Sequence, residues 1–322
     1  MRKTAVLIVT FGMLAALTAC SGTASRTASG DCNSAPVSGD ASSIVTATGK
    51  FSIEPTVNFP TPLFTQKVQR SELLPGKGAP LQEGQSALVD LTVLNGATGN
   101  IVTTTGYNGT GGSLVTIGPS DFPVISLGLR CATVGSRVAV VGPAKDSHNG
   151  QASPQQGIGA NDSLVFVVDI LRSFPATADG AGQVPQPGLP AVVLAPNGAP
   201  GVTVPKQDPP KALSVAVLQA ANGKKLAQGD FAVLKYTGVV WNDSTVFDST
   251  WKNDQAAVRT LTKSTTVAGG FVDGLVGQRV GSQVLLVIPP KLGFGSQGGN
   301  GAPANATLVY VVDILGIIPR TG

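Results

Sequence analysis

"LKYTGVVWNDSTVFDST", residues 234–250, places Tyr236, Trp241, Phe247 and Asp248 in two apolar runs on either side of the polar turn 242–244. β-branched runs bounded by turn residues read as strands, so the stretch is a hairpin. The chain is only 5% aromatic, so three such side chains beside one carboxylate define either a core-facing hairpin or the wall of a pocket. Further strand-like runs lie at 214–221, 231–241, 282–290 and 306–317. Residues 270–281 space Phe271, Leu275 and Val276 on one helical face. Four or more antiparallel strands with one short helix predict an α+β unit, its sheet wrapped around the helix. A pocket then sits between the concave face of the sheet and the start of the helix.

This unit occurs twice. Residues 55–91 align without gaps to 200–236 at an offset of 145, pairing Pro55 with Pro200, Pro60 with Pro205 and Gly84 with Gly229. "TVGSRVAVVGP" (133–143) matches "RVGSQVLLVIP" (279–289), and "NDSLVFVVDIL" (161–171) matches "NATLVYVVDIL" (305–315). Three blocks in one order define a tandem duplication. The first copy replaces Tyr236 by Leu91, Asp248 by Thr103 and Phe271 by Ile125, and carries His148 near the place of Phe294. His148 is the chain's only histidine and, with no nucleophile or ligand set around it in the sequence, reads as a solvated loop residue. The first copy thus serves as an internal control: its strand pattern survives without Tyr236, Phe247 or Asp248. Those three therefore belong to a site rather than to the fold, while Trp241 stays undecided and outside the site.

The N-terminus has a different character. Arg2 and Lys3 precede about fifteen apolar residues and then "LTAC", Leu17 to Cys20, the layout of a secretory signal. "LTAC" resembles the lipobox of bacterial lipoproteins, which implies lipidation of Cys20 and attachment to the extracytoplasmic face of the cell membrane. The expected organisation is a signal peptide at 1–19, a flexible tether at 20–50, a first unit at 51–173, a Pro/Gly-rich linker at 174–199 and a second unit at 200–322. Cys32 and Cys131 can pair in an oxidising space or stay as thiols, and the sequence does not choose. Charged residues make up 12% of the chain and its net charge is +4, without a basic patch that interleaves aromatics. That excludes a nucleic-acid-binding reading.

The second unit resembles the FKBP family of peptidyl-prolyl cis/trans isomerases over roughly residues 210–317. The resemblance rests on "KYTGVV" (235–240), "VFDST" (246–250), "VAGGFVDGLVGQRVGSQVLLVIPP" (267–290) and "APANATLVYVVDILGI" (302–317). It implies two tandem FKBP-like domains, the first degenerate. Carried over by position, Tyr236, Phe247, Asp248 and the backbone of Ala268 act on the prolyl bond, while Val267, Phe271, Phe294 and Tyr310 bind the substrate. Phe271 stands where the family usually has Trp, and Phe294 where it usually has Tyr, so a smaller floor and a missing hydroxyl are expected. The implied activity needs no cofactor or metal, and the implied partners are proline-containing polypeptides, with macrolide inhibitors left open. The implied role is assistance to the folding of exported proteins at the envelope, with the activity in the second unit. The alternative is a non-catalytic, membrane-anchored chaperone or adaptor that binds extended polypeptides.

Overall fold

The computed structural model describes residues 32–107, 112–119, 123–264 and 268–319, so Cys20 and its signal lie outside the described residues. In chain order the first half forms α1 (Asp40–Ser43), β1 (Thr46–Thr48), β2 (Thr56–Asn58), β3 (Gln69–Leu74), β4 (Ser86–Asn95), β5 (Ile101–Thr104), β6 (Ser113–Thr116), α2 (Pro123–Leu129), β7 (Arg137–Gly142), α3 (Ala144–Ser147) and β8 (Leu164–Phe174). The second half forms β9 (Ala181–Gly182), β10 (Ala191–Leu194), β11 (Pro200–Thr203), β12 (Ser214–Ala220), β13 (Phe231–Val240), β14 (Val246–Ser249), β15 (Ala257–Thr260), α4 (Gly269–Leu275), β16 (Gln283–Ile288) and β17 (Leu308–Ile318).

Two antiparallel sheets result, ordered β3-β7-β8-β4-β5 and β14-β13-β17-β16-β12-β9, with β6 and β15 each paired to the long central strand of its own sheet. Apart from the two-residue β9, the orders superpose element for element, as a duplicated α+β unit requires. Each concave face holds a seven-residue helix, α2 or α4. Gly128 and Gly274 sit at equivalent points of these helices, and a Cβ there would come 2.5 Å from Val140 and 2.6 Å from Leu286 respectively. Glycine lets each helix lie directly on its sheet. The helix expected over 270–281 ends at Leu275, because Gly277 and Gly281 both take φ of +88°, a left-handed turn that stops it.

The tether and linker expectations need correction. The end of the supposed tether is packed structure, with Ala41 and Val45 buried against Ala139, Val141, Val165 and Val167 on the convex face of the first sheet. Cys32 and Cys131 are joined as a disulfide, with Cα atoms 5.8 Å apart. Part of the supposed linker 174–199 also packs, although residues 181–188 are exposed. The β10–β11 hairpin brings Val192 and Val202 onto the convex face of the second sheet, over Ala216, Leu285, Val287, Val309 and Val311. Trp241 is buried in this convex-side cluster and its indole N–H donates to the Gln207 carbonyl at 3.0 Å, which removes it from the site. The β1–β2 hairpin is its counterpart in the first unit, so each repeat begins with a hairpin that covers its own convex face.

Beneath these covers the two copies solve one buried-charge problem differently. In the first, the Arg137 guanidinium grips Asp169 at 2.5 and 2.8 Å, both side chains fully buried, and donates to the carbonyls of Gly49, Lys50 and Ile53. In the second, Gln283 donates to Asp313 at 2.7 Å and the N–H of Ala178 donates at 2.9 Å.

The units meet through matching residues. Leu88, Leu114, Leu171 and Phe174 of the first pack in one cluster with Val233, Val258, Leu315 and Ile318 of the second. These are equivalent positions, since Leu88 faces Leu114 in register as Val233 faces Val258, and Phe174 and Ile318 close the same ends of β8 and β17. The contact is therefore self-complementary, like the isologous face of a two-fold dimer, but is made within one chain.

Candidate functional site

Strand β13 carries the site across the concave face of the second sheet. Its register sets Gly238 between Asp248 on β14 and Tyr310 on β17, with Tyr236 two residues earlier on the same face. A Cβ at Gly238 would lie 2.6 Å from the tip of the Phe247 ring and 2.9 Å from the Tyr310 ring. Glycine here is what lets both rings close over the strand. Phe271 rises from α4 beneath them. Its centroid is 5.0 Å from Tyr310 and 6.0 Å from Tyr236, while Phe247 meets Tyr310 at 5.4 Å, all edge-to-face. Such pairs are favourable ring geometry and hold the walls in one arrangement.

One polar cluster interrupts this aromatic box. The Tyr236 hydroxyl donates to Asp248 Oδ2 at 2.8 Å and accepts from Arg259 Nη2 at 2.6 Å, with the guanidinium 5.5 Å from the ring centroid. Burial pushes the Tyr236 hydroxyl above its ordinary value, Arg259 opposes that shift, and Asp248 adds to it. Tyr310 is raised further, again mainly by burial. Both phenols therefore stay protonated at neutral pH and keep the site free of phenolate charge.

Tyr236, Asp248, Ala268, Phe271, Phe294 and Tyr310 line one narrow, open cleft, together with Arg259 and Asn300. Phe247 belongs to the same apolar cluster and supports the Tyr310 wall. Val267 lies outside the described residues. Ala268 caps α4 and is buried at the cavity, and among the described residues its N–H donates no hydrogen bond. Phe294 is half-buried and stacks close to Gly299. Arg259 and Asn300 are the lining residues that the sequence reading missed. Arg259 is the single charge in "AAVRTL" (256–261), which holds a four-residue strand too short to show a period, and Asn300 sits on a loop without a pattern.

The first unit has kept the frame and lost the box. Leu91 takes the Tyr236 position with the same backbone bond, its N–H donating to Thr105 as that of Tyr236 donates to Thr250. Thr103 faces Val93 as Asp248 faces Gly238, so a buried valine side chain fills the space that glycine leaves open. Val115 falls at the Arg259 position and Ile125 at the Phe271 position, both packed into the apolar core. His148 clips its loop together, its ring nitrogens 2.7 and 2.8 Å from the carbonyls of Gln151 and Asp162. Among the described residues no group of three or more His, Cys, Asp or Glu is placed to hold a metal ion, and no helix is long and apolar enough to cross a membrane.

Residues 222–315, the stretch that carries this site, match the family described as FKBP-type peptidyl-prolyl cis-trans isomerase. FK506-binding protein 2 of Aspergillus oryzae is 32% identical over 94 residues, 29% of this chain and 69% of its own length. The chain belongs to the FKBP-type peptidyl-prolyl cis-trans isomerase family. FK506-binding protein 2B of Rhizopus delemar is 36% identical over 118 residues, 35% of this chain, and the match spans only 56% of that relative's length. A solved structure of the three FKBP domains of wheat FKBP73 covers 78% of this chain and 94% of its own, at 17% identity and a TM-score of 0.35.

Proposed function

We propose that the second unit is a peptidyl-prolyl cis/trans isomerase for exported polypeptides, held at the outer face of the cell membrane through lipid on Cys20. The observation that carries the catalytic part is the aromatic box of Tyr236, Phe271 and Tyr310, closed on one side by the Tyr236–Asp248–Arg259 cluster. The disulfide between Cys32 and Cys131 supports export, because such bonds persist in oxidising compartments.

The chemistry follows from the amide itself. The C–N bond has partial double-bond character and a rotation barrier of about 18–20 kcal/mol. Uncatalysed prolyl exchange takes tens to hundreds of seconds. The planar amide is more charge-separated than the twisted one, so water favours the planar form. A box that replaces water with fixed aromatic edges favours the twisted form by comparison. In this reading the proline ring is buried among Phe271, Phe294 and Tyr310. The Ala268 N–H holds a neighbouring carbonyl, and Asp248, fixed by Tyr236, faces the carbonyl that rotates. A gain of about 5.5 kcal/mol in the transition state corresponds to roughly ten-thousandfold acceleration. No bond is made or broken to a nucleophile.

The test is a prolyl isomerisation assay on short Xaa-Pro peptides, comparing the full chain with a variant carrying Asp248→Val and Phe247→Ala. Loss of catalysis with the fold intact supports the proposal, and unchanged catalysis rejects it. A second reading, an anchored chaperone for extended chains, is favoured by a groove of about 300 Å³ on the convex side of the second unit, lined by Leu189, Pro190, Val192, Leu218 and Leu285. Suppression of aggregation that persists undiminished in the Asp248→Val, Phe247→Ala variant would assign that role to the groove.

A further inference from the structure

Arg259 reaches the site from β15, the short strand that also forms the second unit's contact with the first. Alternation along a strand divides its neighbours between two faces. Ala257 and Arg259 face the concave core and the Tyr236 hydroxyl, while Ala256 and Val258 face the cluster shared with Leu88 and Leu114. The backbone is fixed across that boundary too. The Ala256 N–H, one residue before β15, donates to the Thr116 hydroxyl at 3.2 Å, and that hydroxyl is itself 2.8 Å from the hydroxyl of buried Ser86. The loop leading into β15 is held on its other side by Asp254, 2.6 Å from the buried Lys235 ammonium. The sequence entering β15 is thus pinned from within by its own unit and from outside by a unit whose own site is filled.

We propose that Thr116 of the first unit is a positioning residue for Arg259, so that the degenerate unit sets the geometry of the active one through β15. This rests on the isomerase reading of the second unit. Thr116 touches neither substrate nor the Tyr236 cluster; it fixes Ala256 at the entry to β15, and Arg259 follows three residues later. The duplication explains how such a role arises. The contact surface is self-complementary, so both copies of the ancestral face were already committed to it, and the copy that lost its box kept the face.

The experiment uses the full chain with Thr116→Val, which keeps shape and removes the acceptor, and Thr116→Ser, which restores the hydroxyl. The chain has three tyrosines, so ring-carbon labelling of tyrosine gives a countable NMR spectrum in which Tyr236 is assigned by Tyr236→Phe. Thr116→Val is expected to move the Tyr236 signal in the same direction as Arg259→Met, to lower kcat/KM about threefold, and to leave the other two tyrosine signals in place. Thr116→Ser should return both readouts to wild type. Leu114→Ala, which loosens the same contact without altering the second unit, should shift Tyr236 the same way. Unchanged Tyr236 signals in both Thr116→Val and Leu114→Ala, with the folded spectrum retained, overturn the proposal. The Tyr236 signal is read whether or not the chain isomerises prolyl bonds, so failure of the isomerase reading and failure of this one are separate results.

Discussion

Installing the first unit's residue in the second, Gly238→Val, should close the site without unfolding the protein. The new Cβ would stand 2.6 Å from Phe247 and 2.9 Å from Tyr310, and ordinary contact begins near 3.4 Å. Both rings must retreat by roughly half to one ångström, and the first direction open to them is the cavity. Overpacking of this kind costs about 1–3 kcal/mol. Part of that is offset, because valine suits a strand better than glycine on a scale spanning roughly 1 kcal/mol. The net destabilisation should be about 1–2 kcal/mol, a small fall in melting temperature. Catalysis is more sensitive, since a misplacement of about 1 Å costs on the order of a hundredfold when rate depends on positioning. Prolyl isomerisation measured on Xaa-Pro peptides should therefore fall by one to two orders of magnitude while the thermal transition stays cooperative. A folded Gly238→Val protein with wild-type kcat/KM would refute the claim that Phe247 and Tyr310 form the working wall.

Four further outcomes follow from the same geometry. Asp169→Asn strands the buried Arg137 charge and should cost about 3–5 kcal/mol in chemical denaturation. Asp313→Asn meets a carboxyl already raised by burial and partnered by uncharged donors, so it should cost about 1 kcal/mol or less. A fragment of residues 200–322 removes β9, β10 and the Ala178 N–H, and should aggregate or melt well below a fragment of residues 176–322, because Leu285, Val287, Val309 and Val311 lose their cover. Alkaline titration should unfold the chain in a defined window. Burial pushes the Tyr107 hydroxyl from its ordinary value of 10 up to about 12, so the native state binds that proton more tightly than the unfolded chain. The associated stability is intact below pH 10 and is lost as pH rises through 12; an increase in stability across that range would contradict it.

Much of this was written locally in the sequence. Valine-rich runs bounded by Gly and Pro gave the long strands, and comparison of the two copies separated Tyr236, Phe247 and Asp248 from residues that the fold needs. What stayed hidden was packing that leaves no local pattern. "AVVLAPNGAPGVTV" (191–204) looks like a linker because its strands are four residues long, yet Val192 and Val202 cover the convex face of a sheet. "SGDASSIVTATGK" (38–50) buries only small groups, Ala41 and Val45 foremost, so no hydrophobic run announces it. The Cys32–Cys131 bridge spans 99 residues and depends on a turn after α2 where Cys131 takes φ of +58°. Arg259 is invisible for a related reason: one charge in a short strand has no periodicity, and only the sheet register brings it to the Tyr236 hydroxyl.

The most direct test of the central claim is exchange NMR on a single Xaa-Pro peptide with a catalytic amount of the full chain. Cross-peaks between the cis and trans forms are expected at mixing times far shorter than uncatalysed exchange, and should disappear with Asp248→Val, Phe247→Ala. Exchange at the uncatalysed rate with the wild-type chain folded and in excess would contradict the claim.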